Sequence, residues 1–508
     1  MNVGYLITRS SRYFTNRTAF VIDGKAISFG NLNLRINKLA NALLSLGLKK
    51  GDRVGLLFHN SLAYLESHLA LYKAGLVWVR LNVRLTPLEI RGMIEDSGAV
   101  CLMHGPEFLE TVGKASSGVR RLIQKGQGAG IDYDDILQKG SEQEPGVEVF
   151  LDDLSDLWYT SGTTGAPKGI MLTHRNILAC AQFLLSDVYD ISQGDKFFTA
   201  GALSHAGSVR ILPFVIRGAA CYLHGHFDPK KIFEEIERSK ITDLATVPTM
   251  LIALMDHPER PHFDLSPLKR ITYAGAPTPV GRIKEALDLF GPVLDQSYGQ
   301  AESVIAITHL PRQEHILEGD PDRERRLAST GREYPGVEVR IVDDHDNFVG
   351  PGKLGEVVTR SDLVMRGYWN QPEKTKEALK GGWLHTGDIG YLDEEGYLFL
   401  VDRKHDKIIT GGLNVYPREV EEVISAHPSV AQVAVFGAKD PFWGEAVAAA
   451  IVTRQEMSVT DEELTALCKE HLAGYKRPKK IYFLEELPKN LYGKVMRKEL
   501  KKQLGNKP

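Results

Sequence analysis

The segment "YTSGTTGAPKG" (residues 159–169) places glycine, hydroxyl and lysine residues close together and decides how the rest of the chain is interpreted. Glycine lets a chain turn sharply and lets another molecule approach its backbone. Successive backbone N–H groups, Ser or Thr hydroxyls and a nearby lysine are the donors that a phosphate chain requires. The segment therefore predicts a loop that wraps the phosphates of a nucleotide, and composition alone leaves a plain surface turn as the alternative.

This segment differs from the ordinary P-loop, which requires the pattern Gly-x-x-x-x-Gly-Lys-Ser/Thr. Here Lys168 is preceded by Pro167 and followed by Gly169. A nucleotide site in this region would therefore belong to another class of protein.

Length and charge set limits on the architecture and on the partners. A chain of 508 residues is too long for one hydrophobic core, so we expect two to four domains or subdomains. Its 43% hydrophobic and 25% charged residues are typical of a folded protein. The net charge of −3 gives no indication of a nucleic-acid partner.

Cysteine usage and hydropathy indicate a reduced protein without a spanning helix. The four cysteines are far apart in the sequence, which predicts buried free thiols rather than a disulfide framework or a metal site: Cys101, Cys180, Cys221 and Cys468. No run of 18 apolar residues is present. The segment "RSSRYFTNR" (9–17) lacks an apolar stretch and a small-residue cleavage site, which argues against a transit peptide. We expect a cytoplasmic protein.

Helix-like and strand-like patterns alternate over about the first 400 residues. In residues 31–48 the apolar positions step by four, three, four and three, which predicts one helix face: Leu32, Ile36, Leu39, Leu43 and Leu46. Gly47 stands where a left-handed C-terminal cap belongs, and residues 52–58 form a short apolar run suited to a buried parallel strand. The alternation returns at 64–82 and 229–250, which predicts an α/β body of parallel sheets flanked by helices.

The pattern changes near residue 336. Residues 335–344 and 352–361 are short, β-rich and bounded by Gly or Pro, as in a small barrel or antiparallel sheet. Residues 418–437 begin a compact α+β unit, and the charged connector "DRKHDK" (402–407) separates it from the body. We expect a body domain over 1–402, with a small β-barrel-like subdomain, and a small mobile α+β lid over 403–508. Ligands favour such interdomain clefts, and small lids often move.

Five motifs follow one another in the order found in a known family, and together they span almost the whole chain. They are "YTSGTTGAPKGIMLTH" (159–174), "YGQAE" (298–302), "GWLHTGDIG" (382–390), "VDRKHDKIITGGLNVYPREVEE" (401–422) and "LPKNLYGKVMRKEL" (487–500). In these motifs the chain resembles the adenylate-forming (ANL) superfamily, which includes the acyl-CoA synthetases. The resemblance implies that a carboxylate attacks the α-phosphate of ATP with Mg²⁺ present, and that a thiol, usually coenzyme A, then accepts the acyl group.

The resemblance also implies an ATP site. Its phosphate loop would comprise Thr160, Ser161, Gly162, Thr163, Thr164, Gly165 and Lys168. The adenine and AMP contacts would comprise Gly275, Ala276, Pro277, Ser297, Tyr298, Gly299, Gln300 and Ala301, with Tyr298 lying on the adenine ring. Asp388 would accept hydrogen bonds from the ribose hydroxyls with help from Arg403, and Glu302 would bind Mg²⁺, a cation that prefers carboxylate oxygen.

Two further residues are implied to act on the reacting groups. Lys494 lies in "YGKV" and would reach from the lid to the α-phosphate and carboxylate oxygens during adenylation. His205 lies in "ALSHAGS" and would border the substrate carboxylate. A general-base role is not expected for His205, because a carboxylic acid is already ionised at neutral pH. Without the resemblance, Lys494 would be one lysine of a solvated basic segment.

The chain departs from the family pattern at two positions. Ala301 stands where the family usually has a threonine whose hydroxyl touches the α-phosphate, so Gln300 or backbone donors would have to compensate, or turnover would be slower. His405 stands at the lid pivot, which is usually Asp or Lys. A pivot absorbs a change in backbone torsion, and histidine titrates near neutrality, so the lid movement is hypothesised to depend on pH.

The acceptor site is implied by resemblance to aryl-CoA ligases. Gly411 and Gly412 would form a wall without side chains beside the pantetheine, while Trp443, Arg477 and Lys479 would contact the adenine and phosphates of coenzyme A. A buried tryptophan and a solvated basic patch remain the alternative.

We therefore expect an ATP- and Mg²⁺-dependent acid–thiol ligase. The pocket segments near 203–209, 274–276 and 301–305 contain mostly small or apolar residues, which favours an aromatic or a medium- to long-chain fatty acid. The alternatives are transfer of the acyl group to a carrier protein or an amine, a luciferase-like oxidation, or a nucleotide-binding regulator that has lost catalysis. A homodimer is retained as a candidate assembly.

Overall fold

The computed structural model describes most of the chain, from residue 2 to residue 505. The described residues are 2–116, 118–126, 128, 130–160, 168–199, 201–317, 319–404, 406–410, 413–455, 457–489 and 495–505. All structural statements below refer to these residues.

The helices of the described part are numbered in chain order. They are α1 (Val3–Tyr13), α2 (Phe29–Ser45), α3 (Leu62–Ala74), α4 (Pro87–Ser97), α5 (Leu109–Ala115), α6 (Tyr133–Lys139), α7 (His174–Phe183), α8 (Ser208–Arg217), α9 (Pro229–Ser239), α10 (Pro248–Met255), α11 (Val280–Phe290), α12 (Pro321–Arg326), α13 (Pro372–Ala378), α14 (Pro417–Ser425), α15 (Asp461–His471) and α16 (Arg497–Leu504).

The strands of the described part are numbered in the same way. They are β1 (Thr18–Ile22), β2 (Lys25–Ser28), β3 (Arg53–Leu57), β4 (Val77–Arg80), β5 (Cys101–His104), β6 (Arg121–Gln124), β7 (Ile131–Asp132), β8 (Leu154–Thr160), β9 (Lys168–Thr173), β10 (Lys196–Thr199), β11 (Ala220–Leu223), β12 (Asp243–Thr246), β13 (Arg270–Ala274), β14 (Leu294–Tyr298), β15 (Thr308–Leu310), β16 (Arg332–Glu333), β17 (Glu338–Val342), β18 (Gly355–Arg360), β19 (Gly367–Tyr368), β20 (Leu384–Leu392), β21 (Leu398–Arg403), β22 (Ile408–Thr410), β23 (Leu413–Val415), β24 (Val430–Asp440), β25 (Gly444–Thr453) and β26 (Lys480–Phe483).

Two large sheets form the body. Among the described residues, one has nine strands in the order β16-β15-β14-β13-β12-β10-β11-β1-β2 and the other has eight in the order β19-β9-β8-β4-β3-β5-β6-β7. The six strands from β14 to β1 are parallel, as are the six from β8 to β7, and the antiparallel strands lie at the edges. One hydrophobic core contains buried residues of both sheets, so the α/β prediction is confirmed.

The local patterns read from the sequence correspond to the observed elements. Helix α2 begins after Ser28, whose side chain accepts a hydrogen bond from the Asn31 amide, and it buries the predicted apolar face. Gly47 follows the helix with φ +87°, a backbone conformation that favours glycine. Strand β3 is parallel to both of its neighbours and almost wholly buried, as its short apolar run predicted.

Two smaller sheets follow in the second half of the chain. Within the described residues, the first has four antiparallel strands in the order β17-β18-β20-β21, and the second is built from β22 to β26 with α14 and α16 packed against β24. The α+β character predicted after residue 403 is therefore present, while the division into 1–402 and 403–508 stays a prediction.

Burial of the thiols and the lengths of the helices also agree with expectation. The four cysteines are buried and free. No helix in the described part of the chain is both long enough and apolar enough to cross a membrane.

Candidate active site

The predicted phosphate loop is bounded by two paired strand ends. Thr160 is the last residue of β8, Lys168 is the first residue of β9, and the two are register partners in an antiparallel pair. The predicted loop residues between them lie outside the described residues: Ser161, Gly162, Thr163, Thr164 and Gly165. Because Thr160 and Lys168 are paired, the chain enters and leaves the loop at the same end of the buried strand β8.

Lys168 and Glu302 contact the same tyrosine. The Lys168 ammonium lies 4.9 Å from the centroid of the Tyr368 ring, and the Tyr368 hydroxyl donates a hydrogen bond of 3.0 Å to Glu302 Oε1. Burial and the neighbouring Glu302 carboxylate raise the pKa of Tyr368, so the phenol remains a donor. A predicted phosphate ligand thus contacts the ring, and a predicted metal ligand the hydroxyl, of one side chain.

The turn that carries Glu302 has a constrained backbone. Val304 and Ile305 both have positive φ, 44° and 65°, which is rare for β-branched residues. A Cβ atom at Gly299 would lie 2.3 Å from the Ile305 carbonyl carbon, so this position requires glycine. The Glu302 carbonyl in turn accepts a 2.8 Å hydrogen bond from the Met365 amide, which ties the turn to the segment before Tyr368. Backbone strain of this kind is often found at functional sites.

Tyr298, Asp388 and Arg403 form a second cluster. The Tyr298 hydroxyl donates to Asp388 Oδ2 at 2.6 Å, and Arg403 Nε lies 3.0 Å from Asp388 Oδ1. Asp388 and Arg403 are register partners on β20 and β21, and Asp388 is only 6% exposed. The Asp388 carboxylate raises the pKa of Arg403, while burial and Asp388 raise that of Tyr298.

The remaining predicted adenine contacts lie at the carboxyl ends of two neighbouring parallel strands. Ala274 of β13 is the register partner of Ser297 of β14, so the two segments that follow these strands start side by side. The residues concerned are Gly275, Ala276, Pro277, Gln300 and Ala301. Ligands of open α/β sheets bind at such strand ends.

His205 lies in an irregular turn before α8. Its φ and ψ of −125° and −143° interrupt the helical segment Leu203–Gly207. The ring contacts Trp158 edge to face at 6.0 Å between centroids, and its Nδ1 is 2.9 Å from the Ser204 hydroxyl. Burial, together with the charge of Arg80, lowers the pKa of His205 to about 3, so the imidazole is neutral.

Four of the predicted lid residues fall outside the described part of the chain: Lys494, His405, Gly411 and Gly412. Trp443 is 46% exposed and packs edge to face on Phe442, which is 80% exposed.

The two basic residues predicted beside Trp443 lie apart from it. Arg477 donates hydrogen bonds to the Leu472 and Lys469 carbonyls, and the Lys479 amide pairs with Val447. Among the described residues, no hydrogen bond, ion pair or ring contact joins Trp443, Arg477 and Lys479.

The donor set is compatible with Mg²⁺ bound together with a nucleotide. Within the described ranges, no group of three or more His, Cys, Asp or Glu side chains is arranged to hold a metal ion. Mg²⁺ does not need such a cage, because it keeps several waters and is commonly bound by one or two carboxylates with substrate phosphates. Glu302 offers a half-buried carboxylate whose described partner is a neutral phenol rather than a cation.

Two features of the site were not predicted. Tyr368 looked like an ordinary aromatic residue in "GYW", and only its position between Lys168 and Glu302 distinguishes it. Arg80 and Asp156 form an ion pair on buried strands next to His205. The sequence held a usable signal for this pair, namely a charged residue inside an apolar strand pattern, because a buried charge needs a partner.

Comparison with known proteins agrees with this geometry. Residues 7–369 match the family model described as AMP-binding enzyme, and residues 419–494 match its C-terminal domain. A feruloyl-CoA synthase from Amycolatopsis sp is 37% identical, with 98% of each chain covered.

Two solved structures are similar over nearly the whole chain. The amide bond synthetase McbA from Marinactinospora thermotolerans has a TM-score of 0.89 at 30% identity, covering 99% of this chain and 100% of that one. An o-succinylbenzoate CoA synthetase from Bacillus subtilis, in complex with its acyl-adenylate intermediate, has a TM-score of 0.86 at 30% identity, covering 98% and 97%. The chain belongs to the AMP-binding enzyme family.

Proposed function

We propose that this enzyme is an ATP- and Mg²⁺-dependent acid–thiol ligase that converts a carboxylic acid to its coenzyme A thioester through an acyl-adenylate. The observation that carries the proposal is the joining of Lys168 and Glu302 through Tyr368, next to the Tyr298–Asp388–Arg403 cluster. A nucleotide with its metal needs a phosphate cation, a metal carboxylate and a ribose acceptor within one site, and these clusters supply all three.

The residues present suggest how the first half-reaction proceeds. Asp388 accepts hydrogen bonds from the ribose, Tyr298 lies on the adenine, and Lys168 with the loop after Thr160 holds the β- and γ-phosphates. Glu302 would hold Mg²⁺, which would supply positive charge to offset that of the phosphates. Lys494 would supply positive charge to the oxygens on which negative charge increases as the carboxylate attacks, and preorganised charge of this kind lowers a barrier because it needs no reorganisation.

The acyl acceptor has one specific rival. The similarity to an amide bond synthetase favours transfer to an amine, whereas the similarity to a feruloyl-CoA synthase over 98% of both chains favours coenzyme A. We propose coenzyme A, because the more similar of the two is the CoA-ligating protein. Detection of an acyl thioester, or of an amide, after adding free coenzyme A or an amine separates the two.

For the acid, we propose an aromatic or a medium- to long-chain aliphatic tail. The segments after His205 and Glu302 contribute buried apolar side chains, among them Val209 and Val304. The cation nearest to them in sequence, Arg210, is itself buried and donates to the Tyr189 hydroxyl at 3.2 Å, so it is engaged away from a second substrate carboxylate. The relative that acts on ferulate is consistent with an aromatic acid.

The deciding experiment is carboxylate-dependent exchange of labelled pyrophosphate into ATP, measured with the full chain over a panel of aromatic and aliphatic acids. We expect exchange with at least one acid, and thioester formation when coenzyme A is added. The Glu302→Gln variant should lose exchange, and Glu314→Gln, which changes a carboxylate paired with Arg326 away from the site, serves as its matched control. The proposal fails if no acid in the panel drives exchange.

This proposal also includes four further expectations: a cytoplasmic location, a homodimer, the lid boundary after residue 402 and the pivot role of His405. Light scattering coupled to size exclusion measures the assembly directly. The pivot role predicts that the pH profile of thioester formation differs between the wild type and His405→Lys, and identical profiles would remove it.

A further inference from the structure

Four side chains form a compact array on one face of β4 and β8. These strands are parallel neighbours, with Trp78 opposite Asp156 and Arg80 opposite Trp158. Side chains two residues apart on a strand share a face, so these four side chains lie on the same face of the sheet. At each of the two register positions, an aromatic ring on one strand lies opposite a charged group on the other. The Arg80 guanidinium lies 4.2 Å from the centroid of the Trp78 ring and 4.2 Å from that of Trp158.

The array contains a completely buried ion pair. Arg80 Nη2 lies 2.7 Å from Asp156 Oδ1, and both side chains have 0% exposure. Asp156 also accepts hydrogen bonds from the Tyr72 hydroxyl at 3.1 Å and from the Ser155 hydroxyl at 2.6 Å. Removing charge from water is costly, and a buried pair is therefore weak evidence for stability by itself. A role in specifying one arrangement of nearby groups is the alternative explanation.

The guanidinium reaches beyond its carboxylate to the turn of His205. Arg80 Nη1 donates to the His205 carbonyl at 3.1 Å and to the Ser208 hydroxyl at 3.0 Å, and the Ser208 hydroxyl also donates to the His205 carbonyl at 2.9 Å. This carbonyl lies where the helical pattern is interrupted, so it needs partners from elsewhere in the chain. Trp158, which covers one face of the guanidinium, contacts the His205 ring with its edge.

We propose that Arg80, fixed by Asp156 and by the rings of Trp78 and Trp158, is a positioning residue that sets the orientation of His205 in the acid-binding pocket. This inference rests on the proposed function and on the role that the family resemblance implies for His205, at the border of the substrate carboxylate. The planar guanidinium is suited to this task, since it can bond a carboxylate and a carbonyl at once from a rigid fork.

The opposite side of the same turn has its own anchor, which limits what Arg80 controls. Asn60 donates to the Gly201 carbonyl at 3.0 Å and accepts from the Leu203 amide at 2.9 Å. With Asn60 in place, loss of Arg80 should leave the path of the turn intact and release only its end at His205 and Ser208. The expected defect is therefore in acid binding rather than in folding or ATP binding.

The test compares two double variants by pyrophosphate exchange. Arg80→Met/Asp156→Leu removes the pair together, which avoids leaving one charge buried alone. The matched control is Arg270→Met/Asp243→Leu, which removes a buried pair joined at 2.9 Å at the starts of β12 and β13, the strand ends opposite the site. Arg270 also lies 3.4 Å from Asp295, which keeps His309 as its partner in this variant. Arg80→Lys keeps the positive charge but loses the forked donor geometry of the guanidinium. It provides the test of Arg80 if the double variant does not fold.

We expect the KM for the acid to rise about 10- to 100-fold in Arg80→Met/Asp156→Leu, the range expected for losing hydrogen bonds from a charged donor. The KM for ATP should stay unchanged, Arg80→Lys should show an intermediate rise, and the control pair should affect neither KM. An unchanged KM for the acid in both Arg80 variants, or equal rises for acid and ATP, would overturn the inference. Absence of acid-dependent exchange in the wild type would instead refute the proposed function.

Discussion

The proposed adenylation site in the body and the proposed acceptor surface in the predicted lid differ in how their charged groups are held. In the body, Asp388 is almost fully buried and is bonded to both Tyr298 and Arg403. In the lid, Trp443 is nearly half exposed, and the guanidinium of Arg477 bonds to carbonyls at the end of α15. The contrast fits the proposed roles: the nucleotide must be held in one orientation before the reaction, whereas a flexible thiol substrate can be bound by a looser surface.

This comparison predicts that substitutions in the body have large effects on adenylation and that substitutions on the lid surface have small effects on coenzyme A binding. Lys494 is the exception, because it belongs to the lid by sequence and to adenylation by proposed role. The predictions below run from the largest expected effect to the smallest.

Lys494→Ala is expected to slow adenylate formation the most. Loss of one cation aimed at developing charge costs about 3 to 4 kcal/mol, or on the order of 10²- to 10³-fold in rate. Pyrophosphate exchange measures this step, and thioester formation from supplied acyl-adenylate should change little. Lys498→Ala, four residues away in the same basic segment, is the control. Equal losses in both half-reactions would contradict the assigned role.

His309 makes the stability of the body depend on pH. It lies between Asp187 and Asp295, and although burial alone would lower its pKa, these carboxylates raise it to about 9. Because the folded pKa lies above the unfolded value of about 6.5, the added stability is fully present below pH 6.5 and is lost as pH rises through 9, amounting to about 3 kcal/mol.

Urea unfolding followed over this pH range tests the His309 prediction. The wild type should lose stability between about pH 6.5 and about pH 9, and His309→Gln should not show this loss. His315→Gln is the control, because burial lowers the pKa of His315 to about 4 and leaves it neutral throughout. A parallel decline in His309→Gln would assign the effect to other groups.

Asp388→Asn is expected to weaken ATP binding. The change removes the charged acceptor for the ribose and the partner of Arg403, and hydrogen bonds to charged groups contribute about 1.5 to 3 kcal/mol, or roughly 10- to 100-fold in KM for ATP. Asp393→Asn, in the turn after the same strand, is the matched control. A normal KM for ATP in Asp388→Asn would remove the ribose assignment.

Tyr368→Phe tests the link between Lys168 and Glu302. Loss of the hydroxyl removes one hydrogen bond to the half-buried Glu302 carboxylate and leaves the ring under Lys168, so we expect a cost at the low end for a charged acceptor, about 1.5 kcal/mol, or roughly tenfold. The measurement is the Mg²⁺ concentration that gives half-maximal exchange. Tyr391→Phe, on β20, is the control, and an identical Mg²⁺ dependence in both variants would show that the contact has no influence.

Trp443→Ala should have the smallest effect. Because the ring is nearly half exposed, its stacking on the adenine should contribute at the low end for aromatic pairs, about 0.5 to 1 kcal/mol, or roughly two- to fivefold in KM for coenzyme A. Pyrophosphate exchange should be unaffected. A much larger rise in this KM would show that the lid surface is as highly organised as the body site and would break the comparison.

The sequence predicted a candidate nucleotide site because its motifs combine local chemistry with chain order. The glycine-rich loop, "YGQAE" and "TGD" could be assigned before any contact was known, and the structure brings Tyr298, Asp388 and Arg403 together as one cluster. Tyr368 could not be found in this way, because its role depends on two residues that lie 200 and 66 positions away. A hydrogen bond between such distant residues leaves no local pattern.

The alternation of helix and strand, the loop chemistry and the order of the motifs were determined by the sequence itself, because backbone propensity, side-chain periodicity and glycine placement act between near neighbours. Only the tertiary structure decided that Arg80 and Asp156 form a buried pair beside His205 and that one tyrosine joins Lys168 to Glu302. These contacts arise where strands and loops far apart in the chain pack together. Their strength comes from shared burial, which no single segment contains.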